Sequence, residues 1–129
     1  MAINDLHIAL IQSALVWEHP TQNRLNFLNK IDSISQPVDI IVLPEMFTSG
    51  FTMNAPEVSE TMQDETVAWM KELASKKHAA ITGSLVIKEN GKFYNRLLFV
   101  YPDGTIKTYD KRHTFTLAGE DKVYTSGTN

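Results

Sequence analysis

Asp39-Ile-Ile-Val-Leu-Pro-Glu-Met-Phe-Thr-Ser-Gly-Phe-Thr-Met53 is the stretch on which the fold of this chain turns. Ile40, Ile41, Val42 and Leu43 form an unbroken apolar run of mostly β-branched residues. Such a run reads as a strand covered on both faces. Pro44 ends it, because proline brings no N–H to the ladder and holds Leu43 extended. The next residue, Glu45, is a carboxylate. A charged group therefore stands just past the C-terminal end of a central strand, where open α/β sheets collect ligands and chemistry. Two readings are open at this point: a functional carboxylate, or the first solvated residue of a loop.

The pattern on either side of this strand alternates. Ile8 to Ile11 reads as a first buried strand. Thr21 is placed to cap a helix running to about Ser33, with Leu25, Leu28 and Ile31 at three-residue intervals and Phe27 and Ile34 widening the stripe. Thr48 to Ser59 reads as loop, punctuated by Gly50 and Pro56. A second helix is predicted over Met62 to Lys77, with Thr66, Trp69, Met70, Leu73 and Ala74 on its core side. Its first turn is acidic and its last turn basic, as the helix dipole prefers. Ala79 to Ile87 reads as a third strand interrupted by Gly83, a residue that marks a bulge or a close backbone approach. Asn90-Gly91 is a hairpin signal. Strands over Phe93 to Tyr101 and Thr105 to Asp110 follow, joined by Pro102-Asp103-Gly104. From Lys111 on the pattern is irregular and polar. The order β-α-β-α-β predicts parallel pairing, and the hairpins add antiparallel strands. The fold class is α/β with a mixed sheet and flanking helices.

Composition narrows the function. The chain has 129 residues, 43% hydrophobic and 21% charged, which fits one globular domain. A net charge of -3 leaves no electrostatic footprint for nucleic acid or an anionic membrane. No apolar run reaches the ~20 residues of a membrane span. Met1 to His7 lacks the basic and apolar regions of a signal peptide, so a cytoplasmic setting is expected. There is no cysteine, hence no disulfide, thiolate metal site or thiol nucleophile in this polypeptide.

Lys111 follows the fifth strand as Glu45 follows the second. If both ends share a rim, a carboxylate and an ammonium from distant sequence meet there, an arrangement suited to proton transfer and oxyanion stabilisation. A surface ion pair is the competing reading. Glu120 is a third candidate in the irregular tail. His7, His19, His78 and His113 are scattered without the spacing of a metal site, so no metal is predicted, and His113 reads as a structural hydrogen-bonding residue. No glycine-rich phosphate loop follows the first strand, which leaves nucleotide-binding readings without support. No cofactor is expected.

Leu-Pro-Glu-Met-Phe at 43–47 resembles the first catalytic motif of the nitrilase, or carbon–nitrogen hydrolase, superfamily, and Tyr-Asp-Lys-Arg-His at 109–113 resembles its lysine motif. Ile-Ala-Leu-Ile-Gln at 8–12, Ile-Thr-Gly-Ser at 81–84 and Tyr-Asn-Arg with the later Pro-Asp-Gly fit in order. The longer run through Met53, with Asp-Lys-Arg-His, is most similar to the omega-amidase branch, whose members hydrolyse the side amide of short 2-oxo dicarboxylic acid monoamides. The resemblance implies Glu45 as general base, Lys111 as holder of the oxyanion, and Glu120 as the group that orients the lysine and the substrate amide. It implies Phe47 and Phe115 as pocket walls, although Thr114 replaces the aliphatic residue usual before Phe115. It implies covalent catalysis through a thioester and a sandwich of two sheets flanked by helices.

The departure is the nucleophile. The family's cysteine follows a later strand, and residues 1–129 resemble only the N-terminal portion of the domain. The expectation is an incomplete carbon–nitrogen hydrolase domain, inactive alone, acting on a small-molecule amide when complete. Related enzymes are commonly dimers. The alternative is a non-catalytic half-domain that self-associates through an exposed apolar sheet face.

Overall fold

A computed structural model describes residues 5–128. Residues 1–4, the start of the stretch read for a targeting signal, and Asn129 lie outside the described residues. The strands are β1 (Ile8–Leu10), β2 (Ile40–Val42), β3 (Ala80–Glu89), β4 (Lys92–Val100) and β5 (Ile106–Asp110). The helices are α1 (Pro20–Asp32), α2 (Ala55–Val58), α3 (Glu65–Lys77) and α4 (Glu120–Val123). The five strands form one sheet in sequence order. β1, β2 and β3 are parallel, with Ile41 between Ala9 and Ile81. β4 and β5 are antiparallel additions. Asn90 and Gly91 turn β3 into β4 with positive φ at both, the two-residue hairpin their chemistry favours.

The direction of the crossovers explains where the helices lie. β1 to β2 and β2 to β3 step the same way along the sheet, so right-handed connections carry α1 and α3 to the same face. Phe27 and Ile31 of α1 and Val67, Met70, Leu73 and Ala74 of α3 share one core with Ile41, Leu43, Ile81, Leu85, Ile87, Leu98 and Val100 of the sheet. Each large side chain removed from water there contributes about 1.5–3 kcal/mol.

Among the described residues the opposite face carries no long helix, and this corrects the expectation of strands covered on both sides. In β2 only Ile41 is fully buried, while Ile40 and Val42 are half-buried. β1 is an edge strand whose Ile8 and Leu10 are 49% and 77% exposed. Leu97 and Tyr109 continue the same exposed face on β4 and β5. One end of it is capped by a smaller cluster of Met46, Ala55, Val58, Val86 and Tyr124, with Phe51, Phe93 and Val123 beside it.

Other boundaries differ for local reasons. Helix α1 begins at Pro20, with fixed φ suited to a first helical position, and His19 caps it by accepting from the Gln22 N–H at 3.2 Å; Thr21 does not cap it. Leu25 points to solvent. Helix α3 starts at Glu65 because Asp64 folds back to accept from the Thr61 N–H. The expected loop 48–59 contains the single turn α2. The tail expected to be irregular holds a 3-10 turn, Thr116–Ala118, and then α4, separated by Gly119 at φ 82.

Candidate active site

β2 is parallel to β3, β3 antiparallel to β4, and β4 antiparallel to β5. Two reversals restore the direction, so the C-terminal ends of β2 and β5 point to one rim. Glu45 and Lys111 stand on that rim. Glu45 is aimed by its neighbours. Pro44 ends the strand, and Met46 adopts a left-handed conformation at φ 49, which costs a non-glycine residue about 1–2 kcal/mol. The turn is held from β3: the Met46 N–H donates to Ser84 Oγ at 2.8 Å and the Phe47 N–H to Ser84 O at 3.1 Å.

Lys111 is fixed at the end of β5. The preceding Asp110 accepts from Arg96 Nε at 2.6 Å and Nη2 at 3.0 Å. Arg96 is buried, and its guanidinium is held further toward the charged form chiefly by Asp110. The Lys111 N–H donates to Asn95 O at 2.9 Å. Lys111 Nζ lies 3.0 Å from Glu45 Oε1 and 3.0 Å from Glu120 Oε1. Burial pulls the Lys111 ammonium down, but the hydrogen bonds to Glu45 and Glu120 outweigh it and leave its pKa raised. The ammonium also lies 5.2 Å from the centre of the Phe51 ring.

The two carboxylates differ. Glu45 is half exposed, at 51%, whereas Glu120 is fully buried. Glu120 opens α4, where it accepts from the Phe115 N–H and from Asn95 Nδ2 at 3.3 Å. Asn95 Nδ2 donates also to Glu45 Oε1 at 2.9 Å. Tyr124, at the end of α4, donates its hydroxyl to Thr52 O at 2.7 Å. Burial first, and the nearby Glu120 and Glu18 charges second, push that phenol up and keep it neutral. Glu45, Asn95 and Lys111 line an open cavity of about 260 Å³ whose other walls are Leu43, Ser84, Leu97 and Tyr109. It opens onto the uncovered sheet face. A carboxylate and an ammonium at such a mouth can exchange protons with a bound molecule and hold a developing oxyanion.

The structure thus brings Glu45, Lys111 and Glu120 together and separates the two phenylalanines. Phe47 does not line the cavity. Its ring is buried in the core, edge-on to Phe27 and stacked on Trp69. It fits there because β3 offers Gly83, where a Cβ would stand 2.9 Å from Phe47 Cδ1. Phe115 is half exposed at the rim, 6.4 Å from Phe51 between ring centres. His113 is exposed, and no hydrogen bond of its side chain is found among the described residues. Asn95, Phe51 and Ser84 were not singled out from sequence; the Tyr-Asn-Arg and Ile-Thr-Gly-Ser runs held two of them without a stated role. A second hollow, of about 300 Å³, lies around Arg24, Glu60 and Glu65. Arg24 ties up Glu65 at 2.8 Å and Thr66 holds Glu60, so those carboxylates serve structural contacts.

Residues 7–128 match the family model described as carbon-nitrogen hydrolase. The chain belongs to the carbon–nitrogen hydrolase family. It is 42% identical over 125 residues to the omega-amidase YafV of Yersinia enterocolitica, covering 97% of this chain and 48% of that protein. It is 43% identical over 122 residues to the omega-amidase YafV of Escherichia coli K12, covering 95% and 47%. Among solved structures, a CN-hydrolase superfamily protein from Xanthomonas campestris, with an arsenic adduct in its active site, superposes with a TM-score of 0.94 at 38% identity. That match covers 98% of this chain and 48% of the other. The chain spans about half the length of the curated relatives it matches. No helix among the described residues is long and apolar enough to cross a membrane.

Proposed function

We propose that this chain carries the base and oxyanion half of an amidase site for the omega-amide of a short 2-oxo dicarboxylic acid monoamide. The observation that carries the reading is the Lys111 ammonium held 3.0 Å from each of two carboxylates, Glu45 and Glu120, at the mouth of an open cavity. An ammonium has three N–H donors, and two are engaged here. The third is available to a carbonyl oxygen as it gains charge. Glu45, exposed at the rim, takes the proton from an attacking thiol. Lys111 holds the tetrahedral oxyanion. The C–N bond breaks, ammonia leaves with a proton returned from Glu45, and a thioester remains. Glu45 then draws a proton from water, which attacks the thioester and releases the 2-oxo acid and the thiol. Buried Glu120 keeps the lysine charged and oriented.

The thiol belongs to a cysteine that this sequence lacks. In this reading residues 1–129 are the N-terminal portion of a longer hydrolase domain, and the remainder supplies the cysteine and covers the open sheet face. The apolar residues on both faces of β2 support that cover. The whole enzyme works in the cytoplasm, and pairs of copies associate as homodimers. The 129-residue polypeptide alone releases no ammonia from 2-oxo acid monoamides, because members of such a constellation act as a unit. Ammonia release by that polypeptide, assayed beside the longer protein, would overturn the reading.

A second reading rests on the exposed Leu10, Leu97 and Tyr109: a non-catalytic half-domain that self-associates through this face. It predicts a concentration-dependent oligomer of the 129-residue chain, abolished by Leu10→Glu with Leu97→Glu. A monomer at all concentrations removes it.

A further inference from the structure

We propose that Asn95 is the positioning residue of this site, fixing the two carboxylates on either side of the Lys111 ammonium through the two protons of one amide nitrogen. The inference rests on the amidase reading and names a part that reading does not require.

Three contacts meet at Asn95. Its Nδ2 donates to Glu45 Oε1 at 2.9 Å and to Glu120 Oε2 at 3.3 Å. Its backbone oxygen accepts from the Lys111 N–H at 2.9 Å. One residue of an interior strand therefore contacts both carboxylates and the backbone of the lysine between them. The geometry of a planar amide sets the two N–H directions apart by a fixed angle, so the two carboxylates are held relative to each other. Glu45 gains most from this. It is half exposed and opens a turn, and it has few other restraints on its side chain.

The orientation of the amide is forced. Turning it over would set Oδ1 against two carboxylates, acceptor against acceptor. In the orientation present, Oδ1 is buried and has no hydrogen-bond partner among the described residues. Most buried polar atoms are paired, and an orphan is retained where it serves something else. If Asn95 only filled space, leucine, of similar size, would remove the orphaned acceptor without harm. The asymmetry points to the donor side of the amide as the reason for asparagine here.

The test uses the full-length polypeptide that carries this sequence, as Asn95→Leu and Asn95→Asp, with Glu45→Gln as control. Asn95→Leu removes the orphaned acceptor but also the donor to buried Glu120 Oε2, so a melting temperature a few degrees below the wild type is expected. Its kcat is expected to fall by roughly ten- to a hundredfold, the scale on which a misplacement of about 1 Å slows a reaction. KM should stay within about twofold, since a residue acting only through Glu45 and Glu120 leaves ground-state binding alone. Asn95→Asp should be slower still, because a third carboxylate repels the other two. Titration of the Lys111 side chain followed by NMR supplies a readout independent of turnover. Its upward shift should shrink in Asn95→Leu as Glu45 swings away. Wild-type kcat in Asn95→Leu beside an inactive Glu45→Gln would overturn the Asn95 inference and leave the amidase reading standing. Full turnover by Glu45→Gln would remove the amidase base instead. In that case an unchanged Lys111 titration in Asn95→Leu overturns the positioning inference, and a shrunken shift upholds it.

Discussion

Removing the Lys111 ammonium as Lys111→Met leaves the fully buried Glu120 without its cation. The remaining donors to Glu120 are the Phe115 N–H and Asn95 Nδ2, neither of them charged. Breaking one side of a buried ion pair costs about 3–5 kcal/mol. Lys111 is itself 29% exposed, so water reaches part of the site and the cost is reduced to about 2–3 kcal/mol. At roughly 3–5 °C per kcal/mol for a chain of this size, the melting temperature should drop by roughly 6–15 °C. Glu45→Gln removes the other partner of the same lysine, but Glu45 is 51% exposed, and its loss should cost at most about 1 kcal/mol. The assay is thermal and urea unfolding of both variants and of the pair Lys111→Met with Glu120→Gln. If the buried charge is what makes Lys111→Met costly, the substitution costs less once Glu120 is neutral, by about 1 kcal/mol or more. Equal melting of Lys111→Met and Glu45→Gln, or an equal cost of Lys111→Met in both backgrounds, would refute the reasoning.

Other expectations follow from particular contacts. Gly83→Val sets new carbons against Phe47 and Leu43, whose atoms already stand 2.9 Å and 3.0 Å from where a Cβ would lie; overpacking of this kind should cost about 1–3 kcal/mol in urea unfolding, with partial relief from Phe47→Leu. The pKa of Lys111 is raised above the ordinary 10.5 by Glu45 and Glu120 despite its burial, so its contribution to stability is fully present below that value and lost as pH rises through the folded-state value. Unfolding midpoints from pH 9 to 12 should show a loss above pH 10.5 that Lys111→Met lacks. Tyr124→Phe removes the hydroxyl that reaches Thr52 O and leaves that carbonyl without this donor, for a cost of about 1–3 kcal/mol with Glu45 and Lys111 undisturbed.

Much of the site was legible because it sits at strand ends. The apolar run before Pro44 located Glu45, and two hairpin signals supplied the two reversals that bring Lys111 to the same rim. Glu120 was legible as a candidate in the irregular tail, but its role came only through resemblance. Its burial depends on a four-residue helix after Gly119, too short for any periodic stripe. Asn95 was hidden for a different reason. An asparagine inside Lys-Phe-Tyr-Asn-Arg-Leu-Leu gives no local cue, and its partners stand 50 and 25 residues away. The resemblance implies Phe47 as a pocket wall; the left-handed turn at Met46 sends its ring instead to the other side of the sheet, onto Gly83. The uncovered face of β2 does not follow from the apolar run, which reads as cover on both faces; an exposed sheet face was expected only from the resemblance to part of a two-sheet sandwich. The apolar run describes what the strand is suited to, and the described residues provide cover on one side only.

Ammonia release from a 2-oxo dicarboxylic acid monoamide, measured for the full-length polypeptide beside its Glu45→Gln form, tests the central claim most directly. The account predicts turnover by the first and none above background by the second, with melting temperatures within about 5 °C of each other, the scale of 1 kcal/mol. Equal ammonia release by the two proteins would contradict it.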